Sequence, residues 1–233
     1  LYKKSEPKVK FERFEEKDYL PVRHEGFSTL AITPASNPNK FTAGQRSNPF
    51  ELNYAQKDIA KPYTEFEYTR CGNPTRAALE KCIAALEYGK HCITFSSGCG
   101  ATATIVHTLK TGDHILVCDD VYGGTQRYLR LFSQNNYGID VQFIDMTDVE
   151  NIVKNIKEST KMVWIETPTN PTMKLIDIDE AIKQTKKINP KIKVVVDNTF
   201  ASPYLQSPLL VGAEVPRTAA VRKSVCTKTW SME

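Results

Sequence analysis

No apolar run in the 233 residues approaches the roughly 20 needed to span a bilayer. The N-terminus, Leu1-Tyr-Lys-Lys-Ser-Glu-Pro7, lacks the apolar stretch of a secretory signal. A membrane or secreted protein is therefore not expected, and the cytoplasm is the expected location. The six cysteines (Cys71, Cys82, Cys92, Cys99, Cys118, Cys226) contain no C-x-x-C pair, which argues against zinc and dithiol chemistry. Several sit in apolar periodic segments, so free, buried thiols are expected. With 11 glycines and 13 prolines the chain is neither collagen-like nor of low complexity. Net charge is also scarce: 31 basic and 27 acidic residues leave +4. That excess belongs to the ends, because 1–25 holds seven basic and six acidic groups, 215–233 four and one, and 26–214 a balanced 20 of each. A nucleic-acid surface needs basic residues gathered on the folded body, and no such partner is expected.

What is present is enough chain to bury a core, organised in three parts. Residues 1–65 are charged and then rich in Pro, Asn, Ser and Lys, and read as an irregular arm. From 66 to 214 helix and strand patterns alternate. A helix over 75–89, ended by Gly89, places Leu79, Cys82, Ile83 and Leu86 on one face. Strands follow at 91–95, 114–118, 141–144, 162–165 and 193–197, with helices near 98–110, 125–135, 149–157 and 178–188. This alternation implies an α/β fold with a mostly parallel sheet covered by helices on both faces. Residues 215–233 form a divergent tail in which Pro216 and the polar run to Ser224 break the strand pattern.

In such sheets ligands bind outside the carboxyl ends of the strands. The segments there are Ser96–Gly100, Asp119–Gly124, Glu166–Pro171 and Asp197–Phe200, all polar and turn-forming. Gly98-Cys-Gly100-Ala-Thr-Ala103 fits the dinucleotide pattern G-x-G-x-x-A, with Asp119 placed as a ribose-binding acid would be. A nicotinamide-dependent dehydrogenase is one reading; tight strand-to-helix packing with no ligand is another. What the turn offers physically is backbone N–H groups at a helix N-terminus, which suit any phosphate. Asp197 ends the run Val194-Val-Val196, so its carboxylate emerges from a buried strand. A nicotinamide needs no anion there, whereas the protonated ring nitrogen of pyridoxal phosphate does; a turn-forming aspartate would leave the same trace. Tyr122 could stack on a ring or fill a core, and Asn170, between prolines, could bond a phenolic oxygen or simply form a turn.

The combination resembles the cystathionine γ-lyase group of the Cys/Met-metabolism pyridoxal phosphate enzymes. The matching stretches are Phe66-Glu-Tyr-Thr-Arg-Cys-Gly-Asn-Pro-Thr-Arg76, Asp119-Asp-Val-Tyr-Gly-Gly-Thr-Gln-Arg-Tyr128, Val163-Trp-Ile-Glu-Thr-Pro-Thr-Asn-Pro-Thr172 and Val195-Val-Asp-Asn-Thr-Phe-Ala-Ser-Pro-Tyr204, in family order and spacing. The resemblance implies the large domain of a fold type I, aminotransferase-like enzyme that binds pyridoxal 5′-phosphate. Gly98 and Cys99 would bind the cofactor phosphate, Tyr122 stack on the ring, Asp197 pair with its nitrogen, Asn170 bond its oxygen and Thr199 lie beside it. Tyr68 and Arg70 would reach the phosphate in a neighbouring subunit, with Arg127 near the substrate, in a homo-oligomer expected to be a tetramer. The implied reaction cleaves the Cγ–S bond of cystathionine.

The chain also departs from the family pattern. The family's Schiff-base lysine follows a Ser-Ala/Cys-Thr sequence soon after the turn at Gly212-Ala-Glu214; here the interval is longer and Val225 replaces the serine. Cys226-Thr227-Lys228 survives, making Lys228 the expected Schiff-base residue, with Thr227 beside the phosphate. The family continues far beyond this point, so a truncated or variant chain is expected. A cystathionine γ-synthase or β-lyase, and a non-catalytic paralogue that pairs with a full-length subunit, remain alternatives.

Overall fold

The computed structural model describes residues 66–213, together with the backbone of strand segments at 56–58, 61–62, 215–218 and 224–227. Strands β1 (Gln56–Asp58) and β2 (Lys61–Pro62) form a small antiparallel pair within the expected arm. Helix α1 spans Pro74–Leu86. Asn73 caps it, its Oδ1 accepting the N–H groups of Thr75 and Arg76 at 2.9 and 3.1 Å, and Pro74 occupies a first-turn position where no N–H is missed. The helix does not run to Gly89. Tyr88 takes the left-handed conformation (φ 57°), and the N–H groups of Gly89 and Tyr88 close on the carbonyls of Ala84 and Ala85 at 2.7 and 3.3 Å, a Schellman-type ending. Of the expected apolar face only Ile83 is buried, and Leu79 is exposed.

Three apolar runs form the centre of the main sheet: β4 (His114–Cys118), β6 (Thr160–Glu166) and β7 (Lys193–Asp197). Helices cover both faces, so almost every position in these strands is buried, which is why their sequences are continuous apolar runs. The whole order is β3-β9-β8-β7-β6-β4-β5, with β3 at His91–Thr94, β5 at Asp140–Ile144, β8 at Val215–Thr218 and β9 at Ser224–Thr227. From β5 through β8 the strands are parallel; β9 and then β3 add antiparallel contacts. Pro216 does not break the strand as expected. Val215–Thr218 pairs with β7, and pairing with β9 starts only at Arg217, one residue past the proline.

Between the strands lie α2 (Gly98–Val106), α3 (Gly123–Arg127), α4 (Glu150–Asn155), α5 (Ile178–Ile188) and the short α6 (Ser202–Leu205). Helix α3 continues into a π-helical run, Tyr128–Gln134, and a last turn, Asn135–Tyr137, ended by Gly138 at φ 65°. Helix α2 packs on α3, and α4 packs on α5. Trp164, Ile115, Leu116, Ile165 and Val195 are fully buried in one continuous core.

The chain leaves β4 for β5 on one side and later returns to β6 on the other side of β4. That reversal is a topological switch point, and the crevice it opens lies at the carboxyl ends of β4 and β6. Among the described residues no helix is long and apolar enough to cross a membrane. Among the described cysteines the expectation of burial holds only for Cys118; Cys71 and Cys99 are exposed and Cys82 and Cys92 half-buried.

Candidate active site at the switch point

The first turn of α2 forms one wall of the crevice. Ser97 caps it, its Oγ accepting the N–H of Gly100 at 2.9 Å. The N–H groups of Gly98 and Cys99 are left over from the helical pattern, as at any α-helix start. Gly124, at the start of α3, packs against this turn: a Cβ there would sit 3.2 Å from Cys99 Sγ and 2.5 Å from Cε1 of Tyr122. Only a glycine lets the Tyr122 ring lie where it does, and Tyr122 as a whole is 46% exposed.

The floor is made by two buried carboxylates. Asp197 ends β7 and Glu166 ends β6, and the two are paired in register across the parallel strands. They are 2% and 5% exposed. Thr199 donates both its N–H (3.2 Å) and its hydroxyl to Asp197 Oδ1. Glu166 accepts the Tyr122 N–H at 3.0 Å on Oε2 and the Asn170 N–H at 3.1 Å on Oε1.

Further contacts fasten the loop after β4 to the loop after β6. Asp120 Oδ2 accepts the Thr169 hydroxyl at 2.6 Å, the Thr172 N–H at 3.0 Å and the Thr172 hydroxyl. Burial pushes the Asp120 carboxyl up, but these bonds and nearby Lys174 outweigh it and hold it below the ordinary carboxylate range. Lys174 Nζ bridges Asp119 at 2.8 Å and Asp145 at 3.5 Å, and its bond to Asp119 raises its pKa. Asp119 is therefore engaged by a lysine, which weakens the case for it as a ribose ligand. The Asn198 amide and the Gln206 amide bond each other at 2.8 Å, and Gln206 also donates to the Thr167 carbonyl at 3.1 Å.

The fold thus gathers Gly98, Cys99, Tyr122, Asn170, Asp197 and Thr199 at one end of the sheet. Arg127 is exposed at the end of α3. Tyr68 and Arg70, ahead of α1, engage each other, with Arg70 Nη2 3.1 Å from the Tyr68 hydroxyl and its guanidinium over the ring. Thr227 is in β9, paired with His91, at the end of β3 away from Ser96–Gly100, and Lys228 lies outside the described residues. Sequence reasoning did not assign Glu166, Asp120 or Lys174 to the site. Glu166 did leave a signal: like Asp197, it is a carboxylate closing an apolar strand. Among the described residues, no group of three or more His, Cys, Asp or Glu side chains is placed to hold a metal ion.

The structure is thus a parallel α/β domain with leftover helix N–H groups, a half-exposed tyrosine and a buried aspartate at its switch point. Residues 28–222 match the family described as "Cys/Met metabolism PLP-dependent enzyme", and the chain belongs to that family, homologous to pyridoxal phosphate-dependent carbon–sulfur lyases. It is 49% identical over 191 residues to "Putative cystathionine gamma-lyase 2" of Caenorhabditis elegans, covering 81% of this chain and 48% of that protein. It is 43% identical over 205 residues to the human "Cystathionine gamma-lyase", covering 88% and 50%. A Herpetosiphon aurantiacus protein named "Probable cystathionine gamma-synthase" is 42% identical over 192 residues, covering 82% and 59%. The crystal structure of metB from Corynebacterium glutamicum superposes with a TM-score of 0.81 at 36% identity, covering 93% of this chain and 57% of that one. The chain spans about half the length of the relatives it matches.

Proposed function

We propose that this chain carries the cofactor half of a cystathionine γ-lyase acting in the cytoplasm. The reaction is hydrolytic cleavage of the Cγ–S bond, in which cystathionine and water give cysteine, 2-oxobutyrate and ammonia. The observation that carries the reading is Asp197, a carboxylate buried at the end of a central strand and held by Thr199. The residues present fit pyridoxal 5′-phosphate. Gly98 and Cys99 would bind its phosphate through backbone N–H groups, Asp197 its ring nitrogen, Tyr122 its face and Asn170 its ring oxygen, with Thr199 alongside. Bound there, the cofactor supplies an electron sink for the substrate carbon skeleton.

The chain's own residues do the holding. Asp197 keeps the ring nitrogen protonated, because a buried anion favours the charged partner. Tyr122 fixes the plane of the ring and shields it from water. Lys228 is the proposed covalent anchor and proton carrier, with Arg127 toward the substrate; the expected place of Thr227 beside the phosphate is given up, because its pairing with His91 puts it at the far end of β3 from the Gly98 turn. Tyr68 and Arg70 serve the phosphate of a neighbouring subunit; their mutual contact presents a planar, phosphate-matching guanidinium at the surface. A homotetramer is the proposed assembly.

Adding pyridoxal phosphate to the purified chain should produce a visible absorption band that Lys228→Ala abolishes. A band that survives in Lys228→Ala assigns the anchor to another lysine, and no band in the native chain defeats the reading. The Herpetosiphon relative favours a second reading, a γ-synthase. Product analysis from cystathionine separates them: 2-oxobutyrate with cysteine marks a γ-lyase, pyruvate with homocysteine a β-lyase, and reaction of cysteine with an activated homoserine a γ-synthase.

A further inference from the structure

We infer that Glu166 is a positioning residue that sets the spacing of the two loops gripping the cofactor ring. The inference rests on the pyridoxal phosphate reading above. Its two oxygens are divided between the loops: Oε2 takes the N–H of Tyr122, the stacking residue, and Oε1 the N–H of Asn170, the ring-oxygen residue. These loops follow different strands and flank the crevice at the switch point, where no main-chain ladder continues to hold them. One carboxylate therefore determines how far the stacked face lies from the ring-oxygen donor. Glu166 itself cannot drift, since it is 5% exposed at the end of a buried strand and its N–H is held by Cys118 Sγ at 3.2 Å.

Asp120 supplies a useful contrast. It also joins the two loops, but through Thr169 and Thr172, neither of which is placed at the ring. If the tie mattered only for loop stability, the two carboxylates would be interchangeable in their effect. If Glu166 positions the ring contacts, it is not equivalent to Asp120.

Glu166→Gln tests this. Glutamine preserves length and shape but offers a single acceptor oxygen, so one of the two N–H groups faces an amide NH2. Pyridoxal phosphate and inorganic phosphate would each be titrated into the full chain, the Gln variant and Asp120→Asn, with thermal unfolding of each recorded. The expected result is a loss of pyridoxal phosphate affinity of about ten- to a hundredfold in Glu166→Gln, the range for a hydrogen bond to a charged group. Inorganic phosphate, which meets only the first turn of α2, should bind as before, and Asp120→Asn should show a smaller loss for pyridoxal phosphate. Unchanged pyridoxal phosphate affinity in Glu166→Gln, or an equal loss for both ligands, overturns the assignment. Failure of the native chain to bind pyridoxal phosphate is a separate result that removes the functional reading and the inference with it.

Should Glu166→Gln not fold, amide hydrogen exchange on the native chain decides the matter. The Tyr122 and Asn170 N–H groups should exchange far more slowly than exposed loop amides, and cofactor should slow both together. Exchange at the rate of an open loop would refute the clamp.

Discussion

The two ends of the parallel sheet bury polar groups in opposite ways. At the amino end, His114 is fully buried beside Thr160, its Nδ1 2.7 Å from the threonine hydroxyl, while Lys157 pairs with Asp140 at 2.8 Å close by. Burial first, then the Lys157 charge, lowers the His114 pKa against the opposing pull of Asp140 and Gln142, so the ring stays neutral. The Thr160 hydroxyl answers the imidazole at Nδ1 and the ion pair lies beside them, while the buried Nε2 of His114 has no hydrogen-bond partner. At the carboxyl end the buried groups, Glu166 and Asp197, are of one sign and side by side. Backbone N–H groups donate to Glu166, and Thr199 donates to Asp197. One end of the sheet pairs an imidazole with a hydroxyl; the other sets two carboxylates side by side at the crevice.

Substitutions at each end test this division, and the largest effect should come from the carboxyl end. Asp197→Ala should lower pyridoxal phosphate affinity by at least about a hundredfold, the scale of breaking a buried charge pair. The melting temperature without cofactor should move by no more than a few degrees. A collapse in stability with little change in affinity would erase the distinction between the ends.

The converse belongs to the amino end. His114→Ala removes a filled, buried position and should cost about 2–3 kcal/mol in denaturant unfolding, with cofactor affinity unaltered. A matching loss of affinity would mean that the two ends are coupled.

Gly124→Ala is expected to be more selective. Its Cβ would meet Tyr122 Cε1 at 2.5 Å, and because the ring is half-exposed it can swing aside. Stability should change little while pyridoxal phosphate affinity falls about tenfold, in the range of a local overpacking. Tyrosine fluorescence quenching by the cofactor would report it.

The smallest effect is a slope with pH. His114 is harder to protonate in the fold than in the unfolded chain, so below about pH 6.5 the unfolded state takes up the proton first. Stability from the neutral ring is complete above that value and declines as pH falls through it toward the folded value. Denaturation midpoints from pH 8 to 5 should show this decline, and His114→Gln should flatten it.

The central strands were legible because burial on two faces demands continuous apolar runs, and 114–118 and 193–197, like the helix over 178–188, were read with the bounds the structure gives. Asp197 was legible for the same reason, as a charge where the run stops. What escaped was decided by neighbours distant in sequence. Leu79 has an apolar residue's periodicity but no partner helix to cover it among the described residues. Tyr88 takes a conformation usually left to glycine because the bond from Gly89 to Ala84 closes the helix. Pro216 is tolerated because β9 begins its pairing one residue later. Glu166 acts through backbone N–H groups, which every non-proline residue carries and no sequence pattern reveals.

The placement of β3 bears on the order in which the sheet can be completed. Its neighbour in the sheet is β9, so Thr94 waits for Ser224. During synthesis, β4 through β7 can assemble as they emerge, while β3 and the helix turn behind it remain an open edge until the chain has grown some 130 residues further. A nascent chain stopped between Asp197 and Ser224 would hold its carboxylates in place, and the Gly98 turn by its packing on α3, yet leave β3 without its sheet neighbour and a strand edge free for other chains to pair with. The strand that leads into the Gly98 turn is encoded early and paired last.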